Sequence, residues 1–222
     1  MPLAEAVAAV QERGLHRSVL GGNGDSATGG RVSCQSQAVI GEDFPVVLAA
    51  AQLGDEGAFT ALWRDGNPAL LRYLKVIAPE SAEDVTAETW VTVVRGLDRF
   101  RGGEDAWRAW LFTTARRRAV DEGRRRSRRP ESPAAEMEEG HWPEVADTAD
   151  QALENLATRA AIAAVASLPP LQAEVIMLRV VAGLDTEAVA HLTGRSPGAV
   201  RVAVHRGLRR LAQMMTGAGV TR

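Results

Sequence analysis

Apolar residues recur every three or four positions along most of the chain after residue 43, which is the spacing of amphipathic α-helices. One apolar stripe runs through Val46, Val47, Ala50 and Leu53, and further stripes follow over 59–77 and 85–97. The pattern predicts an all-α fold.

Helix boundaries are predicted from residues that favour capping. Asn67-Pro68 is typical of an N-cap followed by the first helical residue, and Ser81 is a typical N-cap for the next helix. In the helix that follows Gly102-Gly103, the spacing predicts that Leu111, Ala115 and Val120 face the core. Trp110 is expected in the core as well, so Trp107 is the expected exposed aromatic.

The last third of the chain has the pattern of a helix-turn-helix. Asp185 is a predicted N-cap of a short helix, Gly194 suits the turn, and Ser196-Pro197 begins a longer helix without acidic residues. The second helix of this motif enters the DNA major groove. Its candidate DNA-binding residues are Ser196, Arg201, Val202, His205, Arg206 and Arg209.

Composition divides the chain into four parts. Residues 1–42 include a Gly/Ser-rich run and are predicted to be a disordered extension. Two small helical domains follow, at 43–129 and 150–215. Between them, 130–149 is proline-containing and acidic, which predicts a flexible, solvated linker.

The formal net charge is only −2, but the charges are segregated. Residues 99–129 carry a local charge of +7, whereas 130–154 carry −8. The stretch 107–129 contains two tryptophans, a phenylalanine and then eight arginines. Arginine binds phosphate through fixed donors and aromatic rings stack on unpaired bases, so this helix suits partly unstacked nucleic acid. The alternative is that its aromatics are core and its arginines a solvated face.

Other functional classes find little support. The single cysteine, Cys34, excludes a disulfide framework and a cysteine-based zinc site. The four histidines are scattered without metal-ligand spacing, and no catalytic constellation or cofactor site is evident. No apolar run reaches membrane-spanning length and no signal peptide is indicated, so a cytoplasmic location is expected.

Several short motifs occur in an order that resembles the extracytoplasmic-function class of bacterial sigma-70 factors. In the first domain these are Glu83-Asp84-Val85, Glu88-Thr89, Trp110-Leu111-Phe112, Ala115-Arg116, Asp121 and Arg124-Arg125. In the second they are Leu168-Pro169, Glu174-Val175-Ile176, Leu178-Arg179, Gly183-Leu184, Val189-Ala190, Gly194, Gly198-Ala199-Val200 and Arg206. The resemblance covers about residues 45–212.

The resemblance implies a protein that is not an enzyme but binds core RNA polymerase and directs it to promoter DNA. The helix with Asp84, Glu88 and Trp90 would dock on the polymerase, and the helix-turn-helix would bind the minus-thirty-five element. Such factors are usually held inactive by an anti-sigma protein. The separated strand of the minus-ten element would be held by Trp107, Arg116, Arg117, Arg124 and Arg125.

Four positions depart from the family pattern: Ala87 replaces a glutamine, Arg117 an asparagine, Ala188 a glutamate and Ala203 an arginine. In the family, the asparagine that Arg117 replaces helps to hold a flipped base of the minus-ten element. An ordinary helix-turn-helix repressor or a response-regulator output domain is the alternative function. It would account for 168–211, but not for the Trp/Arg helix or the acidic linker.

Overall fold

The computed structural model describes residues 40–128 and 149–218. Helices and their connections make up both ranges, and no strand occurs within them. The helices form two groups, one in each range, which confirms the all-α prediction with two helical domains. The predicted N-terminal extension and acidic linker lie outside the described residues, except for a few residues at their edges.

The first group contains four helices: α1 (Phe44–Gln52), α2 (Glu56–Ile77), α3 (Ala82–Gly96) and α4 (Glu104–Arg128). Its core is formed by fully buried side chains from the three longer helices. These include Leu62, Leu70, Leu74, Val93 and Leu111.

Helix α1 is rotated relative to the prediction. Phe44, Leu48 and Ala51 are buried, whereas Val46 is 71 % exposed and Leu53 90 % exposed. Nearly every residue of α1 is apolar, so its sequence does not define one stripe. The large ring of Phe44 decides the orientation, since it packs 6.3 Å from the ring of Trp107.

Helix α2 runs through Pro68 without a break, so the predicted boundary at Asn67-Pro68 is wrong. Proline inside a helix removes one backbone hydrogen bond. Here the helix buries Leu62 before the proline and Leu70 after it, and this packing outweighs the lost bond. Asn67 makes a tertiary contact instead of a cap, because its Oδ1 accepts a hydrogen bond from Trp90 Nε1 at 2.9 Å.

The second group contains α5 (Ala149–Ala166), α6 (Pro170–Ile176), α7 (Thr186–Thr193) and α8 (Pro197–Ala218). A π-helical turn, Met177–Val181, continues α6. Both α6 and α7 pack against α8. Helix α7, the connection at Gly194 and α8 therefore form the predicted helix-turn-helix.

The two groups are not separate bodies. Helix α2 packs against α5, α6 and the π-helical turn, and α4 lies beside α7. One apolar cluster therefore continues from the first group into the second. This packing was not predicted from the sequence.

Candidate nucleic-acid and polymerase interfaces

Side-chain caps and a glycine shape the helix-turn-helix. Asp185 Oδ1 accepts a hydrogen bond from the Ala188 backbone N–H at 2.7 Å and thereby caps α7. Gly194 ends α7 with φ at +66°, a left-handed conformation that glycine adopts without strain. Ser196 Oγ accepts from the Ala199 N–H at 3.2 Å and caps α8. The cap and turn predictions at these three positions are confirmed.

Helix α8 presents one polar face to solvent. Its opposite side is held in the core by Val200, Leu208 and Leu211. Ala203, which replaces an arginine of the family pattern, is buried too, so this substitution does not alter the exposed face. All six predicted duplex-binding residues are exposed: Ser196, Arg201, Val202, His205, Arg206 and Arg209.

One of these exposed residues already has a partner. Arg201 Nη2 lies 3.8 Å from Glu187 Oε1 in α7. Both side chains are more than half exposed, so the pair contributes little stability and DNA can replace it. The exposed face is therefore available to a duplex.

The predicted strand-binding arginines of α4 fall into two classes. Arg117, Arg124 and Arg125 are exposed. Arg125 pairs with Glu122 at 2.7 Å, and Arg124 lies 3.8 Å from Asp121. These pairs are local to one helix, so the guanidinium groups remain at the surface.

Arg116 belongs to the other class, because it points into the contact between the two helical groups. Its Nε donates to Glu174 Oε1 at 2.6 Å, and the Tyr73 hydroxyl donates to the same oxygen at 3.3 Å. The hydrogen bond to Glu174 raises the pKa of Arg116. Burial, and then the Glu174 charge, raise the pKa of Tyr73 well above its usual value.

The predicted exposure of Trp107 is wrong, since its side chain is only 1 % exposed. Its ring lies 5.6 Å from Phe100 and 5.5 Å from Trp110, measured between centroids. Trp107 lies four and eight residues before the buried Leu111 and Ala115, so the helical period places it on the same buried face. A base cannot stack on Trp107 in this arrangement. Trp110 is only half-buried and stacks on Phe100 at 5.1 Å.

The predicted buried face is also wrong in the C-terminal half of α4. Val120 is exposed although the sequence predicted it in the core, and Ala119 is buried in its place. Four-residue steps from Trp107 arrive at Ala119, so this line of positions was the signal that could have corrected both predictions.

The predicted polymerase-docking residues differ in exposure. Asp84 and Glu88 are exposed on the outer face of α3. Trp90 is buried, and its indole N–H is satisfied by Asn67, so the assignment of Trp90 to a docking surface is corrected to a packing role. Val91 and Val94 of α3 are also about half exposed, and they were not predicted as part of this surface. Their signal was their position away from the buried stripe of α3.

Within 40–128 and 149–218, no cluster of three or more His, Cys, Asp or Glu residues is arranged to hold a metal ion. No helix in those ranges is long and apolar enough to cross a membrane.

Two family models match the chain. The model of sigma-70 region 2 matches residues 63–129, and the model of sigma-70 region 4 matches residues 158–211. The first match includes α3 and α4, and the second includes the helix-turn-helix.

Curated relatives match over most of the chain. The ECF RNA polymerase sigma factor SigD of Mycobacterium tuberculosis is 31 % identical over 190 residues, which cover 83 % of this chain and 89 % of SigD. The ECF sigma factor ShbA of Streptomyces griseus is 34 % identical, over 71 % of this chain and 87 % of ShbA.

Two solved structures share the fold. CnrH in complex with the cytosolic domain of CnrY has a TM-score of 0.52 at 23 % identity, covering 78 % of this chain and 97 % of CnrH. The sigma factor RpoE of Bartonella quintana, solved with the anti-sigma factor NepR, has a TM-score of 0.51 at 24 % identity, covering 74 % of this chain and 98 % of RpoE.

Proposed function

Because the chain belongs to the ECF class of RNA polymerase sigma factors, which direct core polymerase to promoters, we propose that three of its surfaces divide this task. The exposed face of α8 binds the minus-thirty-five duplex. The exposed arginines of α4 hold the separated minus-ten strand. The outer face of α3 docks on core polymerase.

The observation that carries this proposal is the exposed face of α8. Arg206 has the forked donors that bind guanine in the major groove, and Val202 can contact a thymine methyl group. Arg201, His205 and Arg209 flank them on the same face. Phosphate contacts by such arginines position a protein on DNA, while base contacts select the sequence.

The strand-binding surface consists of the exposed Arg117, Arg124 and Arg125, and Arg116 joins it when its bond to Glu174 is broken. Their charge supplies a salt-dependent and sequence-independent part of the affinity. The docking surface on α3 combines the acids Asp84 and Glu88 with Val91 and Val94. A mixed acidic and apolar face of this kind suits a partner surface that offers both basic and apolar groups.

The domains extend over 43–129 and 150–215, the protein acts in the cytoplasm, and it has no catalytic activity of its own. An anti-sigma protein is a proposed partner, because the RpoE of Bartonella quintana with the same fold was solved bound to one.

The test is reconstitution with purified core RNA polymerase and sequencing of transcripts started on genomic DNA. Wild-type protein is expected to co-elute with the polymerase and to produce start sites that share an upstream motif. Arg206→Ala is expected to relax selection at one position of the minus-thirty-five motif, a loss of about 1–3 kcal/mol in discrimination.

Arg210→Ala is the matched control. Arg210 lies on the same helix and is exposed, but its side chain bonds to Gln172 Oε1 at 3.1 Å in α6. Its substitution should leave the motif unchanged. Tight duplex binding by the protein alone, without association with polymerase, would contradict the proposal.

A further inference from the structure

Glu174 connects the two helical groups through one oxygen atom. Oε1 receives hydrogen bonds from Arg116 in α4 and Tyr73 in α2, 58 and 101 positions earlier in the chain. The Tyr73 side chain is fully buried, and the Glu174 side chain is only 15 % exposed. Charge-assisted hydrogen bonds are the stronger kind in proteins, so this cluster is a specific attachment within the interface.

The contact extends on both sides of Glu174. Helix α2 packs against α5, α6 and the π-helical turn, and α7 lies beside α4. At the turn before α7, a Cβ atom added to Gly183 would lie 3.6 Å from Arg108 Nη1. The first helix of the helix-turn-helix thus rests directly on the helix that carries the strand-binding arginines.

This arrangement does not fit a bound promoter. Elements centred ten and thirty-five base pairs upstream of the start site lie about 85 Å apart along B-form DNA at about 3.4 Å per base pair. Two domains in direct contact cannot reach both elements. The chain allows separation, because the 20 residues between Arg128 and Ala149 can span up to about 70 Å when extended.

We propose that the packed arrangement is an autoinhibited state, in which the Glu174 carboxylate occupies Arg116 in place of a DNA phosphate. Carboxylate and phosphate oxygens compete for the same guanidinium donors, so Arg116 serves one of them at a time. The inference rests on the strand-binding role proposed for α4. Separation of the two domains then releases Arg116 and frees the helix-turn-helix to reach its own element.

The first measurement is the separation of the domains in the full chain. The substitutions Arg95→Cys and Gln213→Cys place dyes at two exposed positions, one in each domain. The native cysteine is removed by Cys34→Ser, and energy transfer between the two dyes is recorded. Glu174→Gln is expected to raise the ratio of open to closed molecules roughly tenfold, because a charge-assisted bond is weakened.

Two further variants accompany this measurement. Tyr73→Phe keeps the ring and the fold but removes one of the two hydrogen bonds, so a smaller opening is expected. Glu56→Gln makes the same chemical change at an exposed site in the first turn of α2 and should leave energy transfer unchanged.

The second measurement is the affinity for a labelled single-stranded oligodeoxynucleotide of about 20 nucleotides and mixed sequence. Glu174→Gln is expected to bind it several-fold more tightly than wild type. Adding Arg116→Ala to Glu174→Gln should remove that gain in affinity. A gain caused by a general loosening of the structure would persist without Arg116.

The outcomes separate the possible errors. Energy transfer that is the same in wild type and Glu174→Gln overturns the attachment through Glu174. Opening without a gain in affinity, or a gain that persists without Arg116, overturns the inhibitory role. If neither wild type nor Glu174→Gln binds the oligodeoxynucleotide, the proposed strand-binding role of α4 fails, and the proposed inhibition fails with it. In that case, a change in energy transfer in Glu174→Gln would still show that Glu174 attaches the two domains to each other.

Discussion

At the scale of single residues, burial and contact with Glu174 together raise the pKa of Tyr73. Tyr73 is the only tyrosine in the chain, it is buried, and its hydroxyl donates to Glu174. The phenol therefore stays neutral in the folded protein at a pH where it ionises in the unfolded chain.

This shift predicts a specific alkaline instability. The unfolded phenol ionises near pH ~10, so the stabilisation is fully present below that value. It is lost as the pH rises from there through the raised pKa of folded Tyr73, at up to about 1.4 kcal/mol per pH unit. Urea unfolding between about pH 9 and 11 should show a steeper loss of unfolding free energy in wild type than in Tyr73→Phe.

The ultraviolet absorbance of tyrosinate provides the control, because only Tyr73 contributes to it. The absorbance should rise together with unfolding and not before it. A tyrosinate signal that appears in the folded protein near pH ~10 would contradict the burial of Tyr73.

At the scale of helices, close approach to α6 determines the position of α8. A Cβ atom added to Gly207 in α8 would lie 2.5 Å from Ile176 Cδ1 and 3.3 Å from Gln172 Cβ in α6. Glycine at this position thus allows α8 to lie directly on α6. The same helix contains Gly198, where an added Cβ atom would meet nothing within 4 Å.

The two glycines predict opposite effects of alanine. Gly207→Ala crowds the α6–α8 contact, which costs about 1–3 kcal/mol and exceeds the gain of up to about 1 kcal/mol in helix propensity. Gly198→Ala receives only the gain. Urea denaturation of both variants should therefore show a lower unfolding free energy for the first and an equal or higher one for the second. An equal stabilisation of both variants would refute the close contact.

Local signals account for the elements that the sequence predicted correctly. Asp185, Gly194 and Ser196 act within a few residues of their own positions, so their side chains mark helix ends directly. Pro68 does not mark a helix boundary, because tertiary packing on both sides of it outweighs a single missing hydrogen bond. Trp107 was misplaced because the larger Val120 was taken as the last core position of α4, whereas the buried line runs in four-residue steps from Trp107 to Ala119.

At the scale of the whole molecule, the two domains share one apolar cluster. Their contact depends on partners separated by 58 and 101 positions, and no short-range pattern reports such pairs. For this reason the sequence predicted the two domains and the exposed face of α8, but neither their packing nor the partner of Arg116.

The shared cluster predicts cooperative unfolding. Calorimetry of the intact chain at neutral pH should show one transition, with a calorimetric enthalpy that agrees with the van't Hoff value. Glu174→Gln should broaden it or split it in two, since the domains then unfold more independently. Two separate transitions in the wild-type protein would show that the domains are not coupled.

The position of α2 between the two groups also has a consequence during synthesis. Helix α2 belongs to the core of the first group, and within the described residues it also packs against α5, α6 and the π-helical turn. The ribosome adds about 5–20 residues per second, so the stretch from Arg128 to Val181 takes about 3–10 s to make. For that time, the residues of α2 that contact these later elements in the finished protein lack their partners.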